Sequence, residues 1–272
     1  MEPINKTALV TGAAMGIGRA LCHRLAKDGW HICMVDVNAD ELAITQNLCE
    51  TAGPGQIIAE TLDISSEEAI TALKAKLDAK DHFKTVHMLI NNAATRIGRG
   101  FDASLDEWRA LTEVNLWGAI ALTHAFLPDM LASETPCRII NVGSKQGITN
   151  PPGHPVYNFT KAALKSYTES LQHELRTKHA DSKVTAHLLV PGWTTTQGKE
   201  HQQGAWLPEQ VADFMFDALA QDTFYIICPD DEVSTEMDNK RIIWGAEDIT
   251  KNRPPLSRWH PDFKEEASKA CS

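Results

Sequence analysis

A glycine-rich turn near the start of the chain constrains the fold more than any other feature. Residues 7 to 11, Thr-Ala-Leu-Val-Thr, predict a buried strand, and Gly12, Gly16 and Gly18 follow before an amphipathic run. Glycine permits tight turning and close approach of the backbone to a ligand, and free amides at a helix start can donate to a pyrophosphate. The segment predicts a strand, a glycine turn and a helix, either binding a dinucleotide or forming a glycine turn without a ligand.

Asp36 favours the first of these two interpretations. It follows a second apolar segment, Ile32 to Val35, and lies eighteen residues beyond Gly18. A carboxylate at this place can accept hydrogen bonds from both ribose hydroxyls, and it repels a 2′-phosphate. Since residues 13 to 15 carry no basic group that would hold such a phosphate, the sequence predicts NAD rather than NADP.

Tyr157, Lys161 and Ser144 form a candidate proton-transfer group. On a helix, positions i and i+4 share a face, so the Lys161 ammonium can lie beside the Tyr157 phenol and favour its ionised form. Lowering the phenol pKa from about 10 to near 7 requires roughly 4 kcal/mol of differential stabilisation. Ser144, at the end of an apolar strand-like segment, would hold the reacting oxygen. A tyrosine and a lysine at this spacing also occur on solvated helices without any such role.

From residue 7 to about 228 the chain resembles the short-chain dehydrogenases/reductases, in their shorter-chain branch. The resemblance rests on several motifs in the family's order: Thr11-Gly12-x-x-x-Gly16-x-Gly18, Asp63, Asn91-Asn92-Ala93-Ala94, Asn115, Ser144, Tyr157-x-x-x-Lys161, and Pro191-Gly192 followed by Thr196. One position departs from the family pattern, because Ala94 stands where glycine is usual. This mild change leaves the cofactor assignment standing.

The resemblance implies a role for each motif residue in the NAD-dependent interconversion of a secondary alcohol and a ketone. Tyr157 is expected to be the general acid/base, and Ser144 to orient and polarise the substrate oxygen. Lys161 is expected to bind the nicotinamide ribose and lower the tyrosine pKa, and Asn115 to hold a water in a proton relay. The expected cofactor contacts are Gly12, Met15, Gly16, Ile17, Gly18, Asp36, Asp63, Ile64, Asn91, Ala93, Tyr157, Lys161, Pro191, Gly192, Thr194 and Thr196.

The sequence gives information about the substrate only through residues in predicted loops. By resemblance, the positions that border the substrate are Arg96, Gln146, His154 and Trp193. Three of the four are polar, and together they predict a carboxylate or polyhydroxylated compound with Arg96 as a bidentate anchor. Two alternatives stay open. In one, Arg96 and His154 face solvent; in the other, Trp193, Trp206 and Trp117 indicate an aromatic or otherwise apolar substrate.

Alternating strand and helix signals predict a Rossmann-like, doubly wound α/β fold with a parallel sheet. Further buried strands are predicted at 56 to 61, 86 to 90, 137 to 142 and 184 to 190. A capping residue three positions before a glutamate predicts helix starts at Asn38, Ser65 and Ser104, and Pro208 predicts the first turn of another helix. The candidate site residues then fall at the carboxyl ends of strands, where open parallel sheets bind ligands.

The sequence predicts a single domain over residues 1–272, with a core at 1–229 and a C-terminal extension at 230–272. Residues 230 to 250 predict a helix, and the tail from 253 to 272 is expected to cover the substrate pocket, a partner subunit or its own domain. The segment 193–207 lies between the last motif and Pro208. It predicts a mobile lid or an ordinary surface loop.

Composition excludes several classes of function. The formal net charge of −10 argues against an extended nucleic-acid surface, because phosphate binding needs clustered Lys and Arg. No stretch reaches membrane-spanning length and the first six residues lack a secretory pattern, so we expect a cytoplasmic protein that does not bind membranes. The six cysteines form no C-x-x-C pair, which predicts reduced core thiols. The histidines lack H-E-x-x-H spacing, and no catalytic metal is predicted.

The resemblance also implies an assembly and leaves alternative functions to consider. Family members pair through the helices that contain Asn115 and Tyr157, so a homodimer or homotetramer is expected, with a small alcohol or ketone as the other partner. One alternative is a nicotinamide-binding regulatory or scaffolding protein without turnover. The set of acid/base residues disfavours it, because a binder needs no such group. Another alternative is an isomerase or dehydratase that uses bound NAD without net turnover.

Overall fold

The structure is a computed structural model that describes residues 5–96, 100–195 and 200–271. Thr196, one of the expected cofactor contacts, lies outside the described residues. Within these ranges seven strands form one parallel sheet. The strands are β1 (Thr7–Thr11), β2 (His31–Asp36), β3 (Ile57–Thr61), β4 (Met88–Asn91), β5 (Cys137–Val142), β6 (Val184–Val190) and β7 (Tyr225–Ile227).

The strand order across the sheet is β3-β2-β1-β4-β5-β6-β7, so the direction of winding reverses between β1 and β4. In open parallel sheets a crevice opens at such a reversal, outside the carboxyl ends of the strands, and ligands bind there. The turn after β1 and the loop after β4 meet at this crevice. The predicted Rossmann-like α/β fold is confirmed, and it forms a single domain.

Helices cover both faces of the sheet. They are α1 (Gly16–Lys27), α2 (Ala39–Ala52), α3 (Glu67–Asp78), α4 (Leu105–Thr112), α5 (Gly118–Leu131), α6 (Gln146–Thr149), α7 (Pro155–Lys178), α8 (Pro208–Ala220), α9 (Thr235–Thr250) and α10 (Lys264–Ala270). Apolar residues of α1, α2 and α8 pack on one face of the sheet, and those of α3, α5 and α7 on the other. Every helix in the described ranges is too short or too polar to cross a bilayer.

The strands are apolar along their whole length because the sheet is buried on both sides. In β1, Ala8 and Val10 join the core under α1 and α8, whereas Leu9 joins the core under α3 and α5. Successive side chains of a strand point to opposite faces, so a sheet between two helical layers needs apolar residues at nearly every position. The edge strand β3 is only half-buried, in contrast to the predicted fully buried strand at 56 to 61.

Two of the three predicted helix starts are confirmed by their capping contacts, and one is shifted. The side chains of Asn38 and Ser104 accept from the amides three residues later, and Ser104 forms a full capping box. The prediction at Ser65 is wrong, because Ser66 is the cap and accepts from the Ala69 amide. Ser65 instead donates its hydroxyl to the Asp63 carboxylate at 2.8 Å, so it belongs to the turn that precedes α3.

The C-terminal helix begins later than predicted. Residues 230 to 234 form a turn rather than helix, because the Asp230 carboxylate accepts from the amides of Glu232 and Val233 at 3.1 and 2.8 Å. Ser234 then caps α9, which starts at Thr235. The helix predicted at 230 to 250 therefore lacks its first five residues, because Asp230 binds the backbone amides that follow it.

The tail that follows α9 lies against that helix. Trp244 of α9 is 5% exposed, and its indole donates to the Ser257 hydroxyl at 2.8 Å. The Arg253 guanidinium stacks on the Trp244 ring at 3.9 Å, while Ala267 of α10 completes the apolar contact. Among the three placements expected for the tail, these contacts put its described part on its own chain.

Candidate active site

The glycine turn closes on the loop after β4. Gly12 and Gly16 have φ angles of +65° and +56°, in the left-handed region that favours glycine. A Cβ on Gly18 would lie 2.0 Å from the Gly12 carbonyl oxygen, so only glycine lets α1 start this close to the turn. The Asn92 amide donates to the carbonyls of Thr11 and Gly12 at 2.9 and 3.0 Å and fixes the two loops together.

The start of α1 leaves its backbone amides available for a ligand. Met15 occupies the N-cap without a side-chain capping bond, and the first turn of α1 carries no acidic residue. Amides at a helix start, together with the helix dipole, favour an anion such as a pyrophosphate. With Gly12, Gly16 and Gly18 keeping the backbone bare of side chains, these residues fit a dinucleotide.

Asp36 is held at the carboxyl end of β2, where the sequence predicts a ribose ligand. Its Oδ2 accepts from the Ala14 amide and its Oδ1 from the Asn38 amide, both at 3.0 Å. Each oxygen retains acceptor capacity for a hydroxyl. Arg19 contacts the carbonyl of Ala14, but its charge is paired with Glu41 at 2.7 Å.

The other expected adenine and ribose contacts lie along the same edge of the sheet. Ile64 is buried and Asp63 is exposed at the end of the segment after β3. The Asn91 side chain points away from the crevice, because it donates to the buried Asn141 at 2.8 Å. Any contact of Asn91 with a ligand is therefore made by its backbone. The Ala93 amide donates to the Thr11 hydroxyl at 3.1 Å.

Tyr157 and Lys161 lie on one face of α7, as their spacing predicts. Tyr157 is 7% exposed and Lys161 is 2% exposed. The Lys161 Nζ lies 5.8 Å from the centre of the Tyr157 ring and donates to the Val142 carbonyl at 2.7 Å. Gly147 makes this close packing possible, because a Cβ there would lie 2.5 Å from the Lys161 backbone. Ser144, two residues beyond Val142, hydrogen-bonds the Tyr157 phenol.

The pKa of Tyr157 is lowered from its ordinary value by its surroundings. Burial of the phenol is the largest single influence and raises the pKa, but the positive charges of Lys161 and Arg96 and the hydrogen bonds to the phenol together outweigh it. These hydrogen bonds come from Arg96 and Ser144. The pKa of Lys161 is also lowered, chiefly because its ammonium is fully buried. The phenol is thus more easily ionised than a free tyrosine.

Asn115 lies in a π-helical turn, Glu113–Trp117, between α4 and α5. Its Oδ1 accepts from the Thr95 amide at 2.7 Å, and its Nδ2 donates to the Thr95 carbonyl at 3.0 Å. The side chain therefore holds the loop after β4 in place. Single π-helical turns within helices are frequent at functional sites. The water-holding role expected for Asn115 stays a prediction.

Of the four expected substrate residues, Arg96 makes a direct contact with the acid/base group. Its guanidinium carbon lies 4.4 Å from the centre of the Tyr157 ring. Gln146 follows Ser144 closely, and its Oε1 is buried without a hydrogen-bond partner in the described part of the chain. His154 is half-buried directly before α7, and Trp193 is 41% exposed in the loop after β6.

The described part of the segment 193–207 is held by backbone pairing at its two ends. The Trp206 amide donates to the Trp193 carbonyl, and the Thr195 amide donates to the Trp206 carbonyl, both at 2.8 Å. Trp206 is half-buried and packs edge-on against Phe214 of α8. Thr194 donates its hydroxyl to the Gly192 carbonyl at 3.1 Å. Lid motion of this segment stays a prediction.

A buried ionic cluster next to the site was not foreseen from the sequence. Lys145 lies between Asp230 and Asp238, at 3.2 and 2.7 Å, and both carboxylates are nearly fully buried. Asp230 also accepts from the Trp193 amide at 2.9 Å. Only glycine fits at position 192, because a Cβ there would lie 2.7 Å from the Asp230 carboxylate. The cluster links the Ser144 loop to α9, and its members are too far apart in sequence to give a local signal.

No group of three or more His, Cys, Asp or Glu side chains in the described residues is arranged to hold a metal ion. All six cysteines are free and buried, and burial raises the pKa of the Cys33 thiol well above its ordinary value.

The sheet, its reversal point and the glycine turn define a Rossmann-type α/β protein, in which Tyr157, Lys161 and Ser144 form a candidate acid/base group. The sequence profile of the short chain dehydrogenase family matches residues 6–205. The chain therefore belongs to the short-chain dehydrogenase/reductase family, as its motifs predict, and is an oxidoreductase of that family.

Similar proteins and solved structures agree with this membership. The 1-deoxy-11-beta-hydroxypentalenate dehydrogenase of Streptomyces exfoliatus is 29% identical over 266 residues, covering 93% of this chain and 94% of that protein. A short chain dehydrogenase/reductase from Burkholderia phymatum, solved with NAD, superposes with a TM-score of 0.82 at 28% identity, covering 92% of this chain and 96% of that chain. A metagenomic short-chain oxidoreductase solved with NADP superposes with a TM-score of 0.70 at 26% identity, covering 83% of this chain and 97% of that chain.

Proposed function

We propose that the protein is an NAD-dependent oxidoreductase that interconverts a secondary alcohol and a ketone. The observation that carries this proposal is the contact of the Tyr157 phenol with Ser144 and with two cations, which lower its pKa. An acid/base group of this kind serves a reaction in which a hydroxyl proton is removed or returned. The name of the Streptomyces exfoliatus relative describes a dehydrogenase of a hydroxylated compound, which supports the same reaction class.

The residues of the chain divide the work of the reaction. When bound, the nicotinamide cofactor supplies the acceptor or donor of the hydride. In oxidation, the Tyr157 phenolate oxygen takes the proton of the substrate hydroxyl, and in reduction the phenol returns it. The Ser144 hydroxyl donates to the substrate oxygen in both directions. Lys161 is held by the Val142 carbonyl, and its charge stabilises the phenolate between turnovers.

We also propose that the cofactor is NAD rather than NADP. The Asp36 carboxylate, held at the carboxyl end of β2, would repel a 2′-phosphate, and Arg19, a basic residue close to the glycine turn, is paired with Glu41. The related structures contain either cofactor, so family membership alone leaves the choice open. An Asp36→Ala variant is expected to lose most of its preference for NAD over NADP.

The test of this function is a screen for reduced nicotinamide. Purified protein is incubated with NAD or NADP and panels of secondary alcohols, hydroxy acids, polyols and aromatic alcohols, and absorbance of the reduced cofactor is followed. We expect turnover with NAD for at least one class. Binding of NAD without turnover of any alcohol or ketone would contradict the proposal and favour a regulatory or scaffolding role. Conversion of a substrate without change in cofactor absorbance would favour an isomerase or dehydratase.

We further propose that the protein works in the cytoplasm as a homodimer or homotetramer. Six buried free thiols suit a reducing compartment. Trp117 and Phe159, on the turn before α5 and on α7, are 52% and 51% exposed, and exposed aromatic side chains on neighbouring helices suit a subunit interface. Sedimentation of the purified protein as a monomer at micromolar concentration would contradict the assembly.

A further inference from the structure

Arg96 brings a second cation to the acid/base group. Its guanidinium carbon lies 4.4 Å from the centre of the Tyr157 ring, closer than the Lys161 Nζ at 5.8 Å. The Arg96 side chain also hydrogen-bonds the phenol. Lys161 reaches the ring from the buried side of α7, whereas Arg96 is exposed. The guanidinium is therefore accessible to a molecule that enters from solvent.

The backbone beside Arg96 is fixed rather than free to swing. Both the amide and the carbonyl of Thr95 are bonded to the Asn115 side chain, at 2.7 and 3.0 Å. Asn115 is 1% exposed, so these bonds are protected from water. A long side chain on an anchored backbone loses less freedom when it binds a ligand, because its attachment point is already ordered.

The charges around Tyr157 are unbalanced in favour of the positive sign. Within residues 5–96, 100–195 and 200–271, no carboxylate forms an ion pair with Arg96, and the Lys161 ammonium donates to a backbone carbonyl. The segments 97–99 and 196–199 contain no Asp or Glu. When Tyr157 is ionised, its charge offsets one of the two cations. One positive charge then remains beside the reacting oxygen.

We propose that Arg96 binds an anionic group of the substrate, so that the preferred substrates are alcohols and ketones that carry an oxyanion close to the reacting carbon. This inference rests on the proposed oxidoreductase function and names the substrate class. The guanidinium lies against the ring whose oxygen meets the reacting oxygen, which places the anionic group one or two carbons away. A 2- or 3-hydroxy acid, or the corresponding sulfonate, has this arrangement.

Arginine suits this role through its geometry as well as its charge. The planar guanidinium offers two parallel donors to a carboxylate or sulfonate, and such charge-assisted pairs are about twice as strong as neutral hydrogen bonds. Entry of the substrate covers Arg96 and excludes water, which strengthens the pair. The overall charge of −10 repels anions at long range, so selection of an anionic substrate requires a local cation of this kind.

The test compares matched substrates on matched variants. The probes are 3-hydroxybutyrate, 3-hydroxybutyramide and 2-hydroxypropanesulfonate, which place a carboxylate, a neutral amide and a sulfonate at the same distance from the carbinol carbon. The variants are Arg96→Met, which removes the charge, and Arg96→Lys, which keeps it without the planar fork. Arg176→Met, on the exposed end of α7, removes the same charge far from Tyr157 and is the control.

We expect the unmodified enzyme to favour an anionic probe over the amide in kcat/KM by roughly 10- to 100-fold, the range of a charge-assisted pair. Arg96→Met is expected to bring this ratio near one, mainly through KM for the anion, Arg96→Lys to restore part of it, and Arg176→Met to leave it unchanged. The carboxylate and sulfonate arms show which oxyanion is preferred. Equal use of the amide, or a ratio that survives in Arg96→Met, would overturn the inference and leave the oxidoreductase function intact.

A binding measurement separates failure of the inference from failure of the function. Calorimetric titration of the Tyr157→Phe variant with NAD and each probe reports affinity without turnover. Tighter binding of the anions than of the amide, lost when Arg96→Met is added, supports the anion site even if no probe is oxidised. Equal affinity for anion and amide contradicts it.

Discussion

At the scale of single residues, the proposed chemistry depends on the Tyr157 phenol. Burial alone would make it a weaker acid than a free tyrosine, yet its net pKa is lowered. The cause is local, because Lys161 and Arg96 supply two positive charges and Ser144 supplies a hydrogen bond. A protein that only binds a cofactor has no need of cations that stabilise a phenolate, so their presence favours the proposed enzyme.

The pH dependence of oxidation should report this pKa. Because oxidation needs the phenolate, kcat/KM is expected to rise with pH through the pKa of Tyr157 and to level off above it, with a midpoint below the ordinary value of about 10. In Lys161→Met the midpoint is expected to move to higher pH, since one of the cations is lost. Profiles are measured at saturating NAD. Lys165→Met, one turn along α7 and paired with Glu169, is the control. A midpoint that stays in place in Lys161→Met contradicts the assigned role.

Two glycines in helices should respond in opposite ways to the same substitution. In Gly18→Ala the new methyl would lie 2.0 Å from the Gly12 carbonyl, so we expect a loss of about 1–3 kcal/mol in unfolding free energy and weaker NAD binding. In Gly245→Ala, within α9, nothing lies within 4 Å of the new methyl. This variant should gain about 0.5–1 kcal/mol through helix propensity. Denaturant unfolding and NAD titration measure both effects, and a stabilised Gly18→Ala would be inconsistent with the tight turn.

At the scale of elements, the Lys145 cluster joins three parts of the molecule. Lys145 lies beside Ser144, Asp230 accepts from the Trp193 amide in the loop after β6, and Asp238 belongs to α9. Burial raises the pKa of Asp238 and the charge of Lys145 opposes that rise. The charge of Lys145 therefore lowers the free-energy cost of burying the Asp238 carboxylate. It also connects the C-terminal extension to the loops of the candidate site.

Removal of this cation should be costly. In Lys145→Met two buried carboxylates lose their partner, and breaking a buried ion pair from one side costs about 3–5 kcal/mol. Lys145→Arg should recover part of that loss. Lys178→Met, which removes an exposed pair with Glu174, should change the unfolding free energy by less than about 0.5 kcal/mol. Equal effects of Lys145→Met and Lys178→Met would show that the buried cluster does not stabilise α9.

The sequence predicts elements well where the cause is local and poorly where it is not. β1 and the helix starts at Asn38 and Ser104 follow from apolar runs and capping residues, whose signals lie within a few positions. The start of α9 was misplaced because it depends on the Asp230 carboxylate binding the amides that follow it. Lys145 and Asp230 are 85 residues apart, so their contact becomes visible only once the sheet is assembled.

For the site, the residue types were predictable and their distances were not. The spacing of Tyr157 and Lys161 on α7 fixes their shared face, and the glycine pattern fixes the turn. The position of Arg96 over the Tyr157 ring depends on how Asn115 holds Thr95, which no spacing rule contains. The inward direction of the Asn91 side chain likewise depends on its bond to Asn141 on the neighbouring strand.

At the scale of the whole molecule, the two ends of the parallel strands differ in character. The carboxyl ends carry the candidate site, whereas the amino ends carry neutral histidines that accept hydrogen bonds from backbone amides. His31 accepts from the Gln56 amide at 2.9 Å, and His87 accepts from the Thr7 amide at 3.0 Å. Burial lowers the pKa of both, with help from the charge of His82 on His31 and of Lys6 on His87.

Acid should therefore lower the unfolding free energy by protonating these histidines at the amino ends of the strands. Because the folded pKa of each histidine lies below the unfolded value of about 6.5, the unfolded chain binds more protons below that pH, and stability falls as pH falls. Each histidine contributes at most about 1.4 kcal/mol per pH unit. We expect the unfolding free energy to drop between pH 6.5 and 5, with a smaller slope in His87→Gln. A stability that rises over this interval would contradict the neutral histidines.

The most direct test of the whole account is a comparison of NAD binding and turnover in Tyr157→Phe and the unmodified protein. The substitution removes the phenol oxygen and leaves the glycine turn, Asp36 and the ring in place. We predict that NAD affinity stays within about twofold while kcat falls by at least roughly 100-fold, as expected for loss of a general acid/base. Comparable turnover in Tyr157→Phe, or no NAD binding by the unmodified protein, would contradict the account.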